Sequence, residues 1–413
     1  MLQSSPSIQV DAHCIYRSEV SIKSMSFNRA TETAEMILCS SKGICRTASV
    51  EYSDGTKYQF KGMYASPQAS FAPEGAIPMV RRKTADSSGM LGRTDNSRVA
   101  SDGNASEMKT PSFKPTSIES HPFLPLFVSG NQKGKVHLWS YDSLSSLCEF
   151  QTSEVVATYP LSPALSSRRD IKKIHFDKLG QQMGSVDNVG RLFMWKFANL
   201  DRDTYYRQID CHDKGAKALQ FINSGSIVAT AGSSSDKRSV CMWDLLLPNS
   251  KALIAAPSCH PAGAASLTFS STHQLLISGG EGGSISVFDV RQRRVLHTIT
   301  NAHETAITTL ELHPSGRCVL SGSASGDVKI WSLPIFRELV AVSKVHAKPS
   351  FLGDAASNLL GDAASNMAIN VSQYQTNSSW GVTDAFATDD YFFTSGTDGS
   401  VQRFRVPPVG SLL

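Results

Sequence analysis

Apolar and polar residues alternate in short runs along most of this chain. In "AITTLELHPSGRCVLSGS" (Ala306–Ser323) two such runs flank the turn His313-Pro314-Ser315-Gly316. A period of two sends successive side chains to opposite faces, so each run predicts a strand with one buried face. "GAASLTFSSTHQLLISGG" and "GAKALQFINSGSIVATAG" repeat the plan. A third strand follows each pair, ending in an aromatic: "SGNQKGKVHLW" (Ser129–Trp139), "SGGEGGSISVF" (Ser278–Phe288) and "SGSASGDVKIW" (Ser321–Trp331). Ser185–Trp195 keeps this frame with Val for the first Gly. Ala231–Trp243 has a turn two residues longer, and Ser395–Phe404 one residue shorter. Neighbouring aromatics lie 43 residues apart (Phe288 to Trp331), 45 (Trp243 to Phe288), 48 (Trp195 to Trp243) and 56 (Trp139 to Trp195). Strand–turn–strand units with a period near 40–45 are the signature of a β-propeller.

The glycines Gly279, Gly280, Gly282 and Gly283 look like a phosphate cradle, because bare backbone N–H groups can approach an anion closely. The repeat argues otherwise. Glycine stands at the position of Gly283 in five of the six clear units, with no Lys-Ser/Thr after it. A period-2 strand follows, not a helix, so Gly283 is expected at a hairpin turn that needs positive φ.

Six units are clear, at about 118–150, 170–200, 214–247, 262–300, 304–343 and 380–406, and a weaker one lies at 20–50. Together they predict an all-β propeller of seven blades in one domain, although counting alone also allows six or eight. The last unit stops at its third strand, because Pro407-Pro408 cannot extend a ladder. An open sheet edge invites aggregation, and Ser7–Tyr16 ("SIQVDAHCIY") has the alternation to cover it. It is therefore expected to supply the outer strand of the last blade. Residues 61–116 are rich in Ser, Pro, Gly and charge and predict a disordered insertion. Residues 154–167 read as a loop, and a loop insertion at 348–378 contains the tandem octads "FLGDAASN" and "LLGDAASN" at 351–366.

Composition adds exclusions. A net charge of +4, from 40 Lys+Arg against 36 Asp+Glu, is too mild to make nucleic acid the expected partner. No apolar stretch approaches the roughly 18 residues of a membrane helix, and the first residues lack a signal-peptide pattern. The expectation is a cytoplasmic chain with no transmembrane segment. The eight cysteines include no Cys-x-x-Cys pair and read as reduced thiols, several at strand positions. Cys211-His212 and Cys259-His260 fit no usual zinc spacing, so neither metal nor cofactor is expected. No Ser-His-Asp order, paired carboxylates or HExxH motif argues for catalysis, and His303-Glu304 lacks a second zinc histidine.

Histidines stand upstream of three units, at His212, His260 and His303; His260 to Phe288 and His303 to Trp331 are both 28 residues. This resembles the Gly-His to Trp-Asp unit of WD40 repeats, where His, a strand Ser and Trp share a buried hydrogen-bond network. On that resemblance His212, His260, His303, Ser278, Ser321, Trp243 and Trp331 are structural, not catalytic. Only Trp243-Asp244 keeps the literal dipeptide, with Phe288-Asp289 as its variant.

"VATAGSSSDKRSVCMWDLLLP" (Val228–Pro248) and "HQLLISGGEGGSISVFDVRQRR" (His273–Arg294) resemble the C-terminal WD40 region of the DmX-like family. That family includes the rabconnectin-3 alpha subunit and the large subunit of the yeast RAVE complex. "HPFLPLFVSGNQKGKVHLW" and "GSASGDVKIWSL" carry the likeness further, to about 118–345 and 380–406. Family members are several times longer, so only their C-terminal end is matched. The resemblance implies a non-catalytic scaffold that promotes assembly of the vacuolar-type proton ATPase. The implied partners are that enzyme's peripheral-sector subunits and other RAVE/rabconnectin subunits, with peripheral association on vacuolar or endosomal membranes. A propeller alone does not fix function.

Two rival readings use basic residues. Asp289-Val290-Arg291 after Phe288 resembles the Trp-Asp-x-Arg box with which some WD40 proteins dock on cullin ubiquitin-ligase adaptors. Its plainer reading is a strand-end salt bridge or solvated charge. "RQRR" (Arg291–Arg294, with Arg293 between), "SSRRDIKK" and "RRK" could meet anionic surfaces, but no stacking aromatics are interleaved with them.

Overall fold

In the computed structural model, the structure describes residues 12–31, 35–52, 55–64, 113–142, 146–152, 169–197, 205–223, 225–346 and 381–406. Among them 28 strands form seven four-stranded antiparallel sheets. Each inner strand packs on that of the next blade, and the inner strand of the seventh blade packs on that of the first, so the ring closes. The sequence pattern explains the stacking. Middle strands such as Leu275–Gly280 and Cys318–Ser323 are buried throughout, because both faces of an interior blade meet neighbours. Outer strands such as Arg294–Ile299 are half exposed. The core is a series of layers between adjacent blades: Ile277, Ile285 and Val287 of blade five meet Ile307, Leu310, Val319 and Trp331 of blade six.

The seven inner strands are Ile22–Phe27, Pro115–Ser120, Ile171–Phe176, Ala216–Ile222, Ala264–Ser270, Ile307–Leu312 and Val382–Ala387. Each carries a β-bulge after its first residue in its pairing with the second strand. A bulge sharpens local twist and re-aims side chains. Here the residue at the bulge is Lys23, Thr116, Lys172, Lys217, Thr308 or Thr383 in six blades and Ala265 in blade five, and all seven line the central space.

Several boundaries differ from the sequence reading. Blade one does not end near residue 50. Its third strand runs Gly43–Tyr52 and its outer strand Gly55–Met63, while blade two begins at Pro115. The expected insertion at 61–116 is therefore corrected at both edges, and residues 65–112 lie outside the described residues. So do 154–167, the octads at 351–366 and Pro407-Pro408. Thr56, Tyr58 and Phe60 alternate with Lys57, Gln59 and Lys61, a strand signal obscured by the polar composition around it. The outer strand of blade seven is His13–Arg17, paired antiparallel with Ser400–Arg405. It starts later than the expected Ser7–Tyr16, whose first residues lie outside the described ones.

Candidate functional site

Gly283 answers the question its neighbours pose. Its φ is +77°, and a Cβ there would sit 2.1 Å from the carbonyl oxygen of His303. His303 N donates to Gly283 O at 3.0 Å. The turn is filled by the backbone of the next blade's approach, leaving no open cradle. Gly190 plays the same part in blade three, where a Cβ would fall 1.5 Å from His212 O.

The histidines lie beside these turns. In blade six His303 Nε2 is 2.7 Å from Ser321 Oγ, to which Trp331 Nε1 donates at 2.9 Å. In blade five His260 Nε2 lies 2.8 Å from Ser278 Oγ, with Phe288 in the place of the Trp. In blade four both His212 Nε2 (3.1 Å) and Trp243 Nε1 (3.0 Å) meet Thr230 Oγ1, so threonine stands where the reading expects serine. Burial holds His212, His260 and His303 at a pKa of about 4, so all three are neutral at pH 7. The neutral imidazoles of His212 and His260 are held at both nitrogens, with Nδ1 at 3.2 Å from Ser234 Oγ and 2.8 Å from Ser284 Oγ, and so tie strands together.

Sequence reasoning missed the fullest version of this set. In blade seven, wholly buried His346 meets Thr394 Oγ1 (2.9 Å), Ser400 Oγ (3.1 Å) and Asp398 Oδ1 (3.0 Å). Burial opposes ionisation of Asp398, but His346 and Ser400 outweigh it and hold the carboxyl below its usual range. The long insertion separates His346 from its blade, so its spacing to Phe404 does not match the 28-residue interval elsewhere. Blade two keeps only Trp139 Nε1 donating to Ser129 Oγ at 2.8 Å.

Asp289, Arg291, Arg293 and Arg294 gather at the turn between the third and fourth strands of blade five. Asp289 Oδ1 accepts the backbone N–H of Arg291 and of Gln292, both at 2.8 Å, and so caps that turn. Arg293 takes positive φ (54°), and Arg291, Arg293 and Arg294 are all exposed. Of the two plainer alternatives, a strand-end salt bridge or solvated charge, the arginines take the second: three exposed guanidinium groups above a backbone cap.

The inner strands line a central channel of about 160 Å³. Lys23, Lys172 and Lys217 stand where these strands begin, at the bulges themselves. Lys172 pairs with Asp170 at 3.5 Å and Lys217 with Glu281 at 2.8 Å, while Lys23 donates to Pro115 O at 3.3 Å. Deeper, Lys173 Nζ lies 3.3 Å from Asp384 Oδ1. Asp384 Oδ2 also accepts from Ser24 Oγ (2.7 Å) and Met25 N (3.2 Å). Burial disfavours the Lys173 ammonium, but Asp384, Glu119 and Glu311 outweigh it and raise its pKa. Further along, His175 faces Glu119 at 3.4 Å, and burial pushes the Glu311 carboxyl up to about 8 despite Arg29 and Lys173. The groups of the channel brace one another across blades one, three and seven. Among the described residues no three His, Cys, Asp or Glu side chains gather as metal ligands. The thiols of Cys39, Cys241 and Cys318 are pushed up to about 12 by burial, which suits packing and not nucleophilic attack.

Seven four-stranded blades, with the full His–Ser/Thr–Trp tie in blades four and six and parts of it in blades two, five and seven, define a WD40 β-propeller. The family model for the WD domain, G-beta repeat, matches residues 252–289 and 293–332, each the outer strand of one blade followed by three strands of the next, from blade four into blade six. Within that class the chain is similar to DmX-like proteins. It is 30% identical to mouse DmX-like protein 1 over 297 residues, 70% of this chain and 9% of that protein. Human DmX-like protein 1 is 29% identical over the same shares. The chain is also 29% identical to mouse guanine nucleotide-binding protein subunit beta-like protein 1, over 54% of this chain and 65% of that one. It thus spans under a tenth of the DmX-like proteins it matches.

Proposed function

We propose that this chain is a non-catalytic protein-interaction scaffold that promotes assembly of the vacuolar-type proton ATPase, and through it the acidification of vacuoles or endosomes. The observation that carries the reading is the similarity to DmX-like protein 1, which runs over 70% of the chain. The geometry is consistent with it. The polar clusters tie blades together, and the exposed loops leave two broad faces for partners. The protein works at the cytoplasmic side, held on organelle membranes through its partners. Its contacts are peripheral-sector subunits of the ATPase and other RAVE/rabconnectin subunits. Co-purification of the tagged chain from cells, read by mass spectrometry, tests this. Peripheral-sector subunits are the expected company, and their absence from repeated purifications overturns the reading.

The exposure of Arg291 beside Asp289 sustains a second reading, docking on a cullin ubiquitin-ligase adaptor through Phe288-Asp289-Val290-Arg291. The same purification with Arg291→Ala separates the two. Loss of ligase adaptors with retention of ATPase subunits assigns the arginine to the second reading.

A further inference from the structure

On the face where first strands turn into second strands and third into fourth, blades two to four present a row of exposed apolar side chains. Phe123 is 63% exposed, Leu179 59% and Leu246 80%, with Leu124, Tyr206 and Leu247 beside them. Scattered exposed apolar residues are ordinary, but a continuous row is not. Contacts across the blade boundaries tie together the loops that carry these side chains. His121 of blade two donates through Nε2 to Gly180 O of blade three at 3.2 Å, next to Leu179. Tyr206 Oη donates to Gln182 Oε1 at 2.7 Å, and Arg207 donates to the carbonyls of Leu245 and Leu247 in blade four.

These polar groups hold the apolar side chains outward. His121 Nδ1 accepts the backbone N–H of Phe123 (3.1 Å) and of Leu124 (3.0 Å), which fixes the loop that displays them. Asp244 Oδ1 accepts from Leu246 N at 2.9 Å in the same manner. A surface fixed before binding loses less conformational freedom when a partner lands. Its charge is mainly positive. Among the described residues of blades two to four on this face, the exposed charges are Lys178, Lys196 and Lys251 against the carboxylate of Asp142, and Lys196 lies over the Tyr206 ring at 5.5 Å. The carboxylates of blades three and four are engaged by their own turns, for Asp177 Oδ1 accepts from Gln182 N at 2.9 Å and Asp244 caps its own turn.

We infer that this face of blades two to four docks a protein segment in which apolar side chains are interleaved with carboxylates. The inference rests on the scaffold reading and names the surface such a scaffold uses. Apolar anchors enter the spaces around Phe123, Leu179 and Leu246, and Glu or Asp side chains meet Lys178, Lys196 and Lys251. A protein segment fits better than an anionic membrane. Three lysines at roughly 1 kcal/mol each give little hold on a lipid surface.

The test uses the full chain against arrayed synthetic peptides of about 16 residues, some four helical turns. One set carries Leu with Glu, and a matched set carries Leu with Lys, in helical and alternating patterns. The Leu/Glu peptides should bind at least about tenfold more tightly than the Leu/Lys set. Leu179→Asp with Leu246→Asp should lose that binding while melting like the parent. Val295→Asp, on the outer strand of blade five, should keep it. Equal binding of both peptide sets, absence of binding, or retention by the double variant overturns the proposal. So does sedimentation with phosphatidylserine vesicles that the double variant abolishes, which would assign the face to a membrane. Peptide binding is read without any ATPase subunit, so a failed co-purification and a failed docking surface are told apart.

Discussion

Lys173 Nζ stands 3.3 Å from Asp384 Oδ1, joining blade three to blade seven across the central channel between residues 211 positions apart. Asp384 also takes Ser24 Oγ and Met25 N of blade one, so one carboxylate gathers three blades. Asp384→Asn keeps the shape but removes the charge that answers Lys173. Breaking a buried pair from one side costs about 3–5 kcal/mol; Lys173 is 31% exposed, so a loss of about 2 kcal/mol is expected. A double-mutant cycle with Lys173→Met in chemical denaturation reads the coupling. Strictly additive losses would show that the pair does not brace the ring.

Ser321 is the shared point of the tie in blade six. Ser321→Ala leaves Trp331 Nε1 and His303 Nε2 buried without that partner, and each orphaned group costs about 1–3 kcal/mol. Trp331→Phe should cost less than Ser321→Ala, because blade five already works with Phe288 at the matching place. Melting temperatures of the two variants check the order, and the reverse order would mean that packing of the indole outweighs the hydrogen bonds.

The buried histidines predict acid sensitivity. His212, His260 and His303 have folded pKa values of about 4, below the ordinary 6.5, because burial disfavours the imidazolium. The unfolded chain takes up protons first, so their contribution is fully present above about 6.5 and is lost as pH falls toward 4. Each accounts for on the order of 3 kcal/mol across that window. His303→Gln should be less stable at pH 7 yet lose stability less steeply between pH 6.5 and 4. Parallel stability curves for parent and variant would rule this linkage out. Glu311 has the opposite sign. Its raised pKa, about 8, makes stability fall as pH rises from about 4.5 to 8, and Glu311→Gln should flatten that limb.

The propeller was legible because each blade repeats a local signal. Alternation gives the strands, Gly283 and its counterparts give the turns, and the 28-residue interval from His303 to Trp331 gives the unit. The channel was not legible. Lys173, Asp384, Glu119 and Glu311 sit on four blades, and only closure of the ring brings them together. Blade one's outer strand was obscured by composition, and His346 by the length of chain between it and Thr394. The apolar row of Phe123, Leu179 and Leu246 spans three blades and has no sequence period at all. Local chemistry is written in runs of residues, whereas surfaces and channels are written in topology.

Ring closure gives the last prediction. Blade seven borrows its outer strand, His13–Arg17, from the other end of the described chain, with Cys14 opposite Gln402 and Tyr16 opposite Val401. Ile15 is 3% exposed and packs with Ile22 of blade one and Phe393 and Val401 of blade seven. Ser18 N donates to Gly399 O at 2.8 Å, continuing the seam past the strand. Burying Ile15 alone contributes roughly 1.5–3 kcal/mol, and the ladder and Tyr16 add to it. Deleting residues 1–17 should therefore lower stability by several kcal/mol, on the scale of losing several core side chains. It should also expose the edge of Ser400–Arg405 to pairing with other chains, so aggregation should rise with concentration. Ile15→Asp should reproduce most of the loss of stability, whereas Cys14→Ser, at an exposed position of the same strand, should change little. Thermal melting and light scattering on the three variants decide it. A deletion that melts like the parent, with no added scattering, would mean that the strand only decorates a ring already closed by its inner strands.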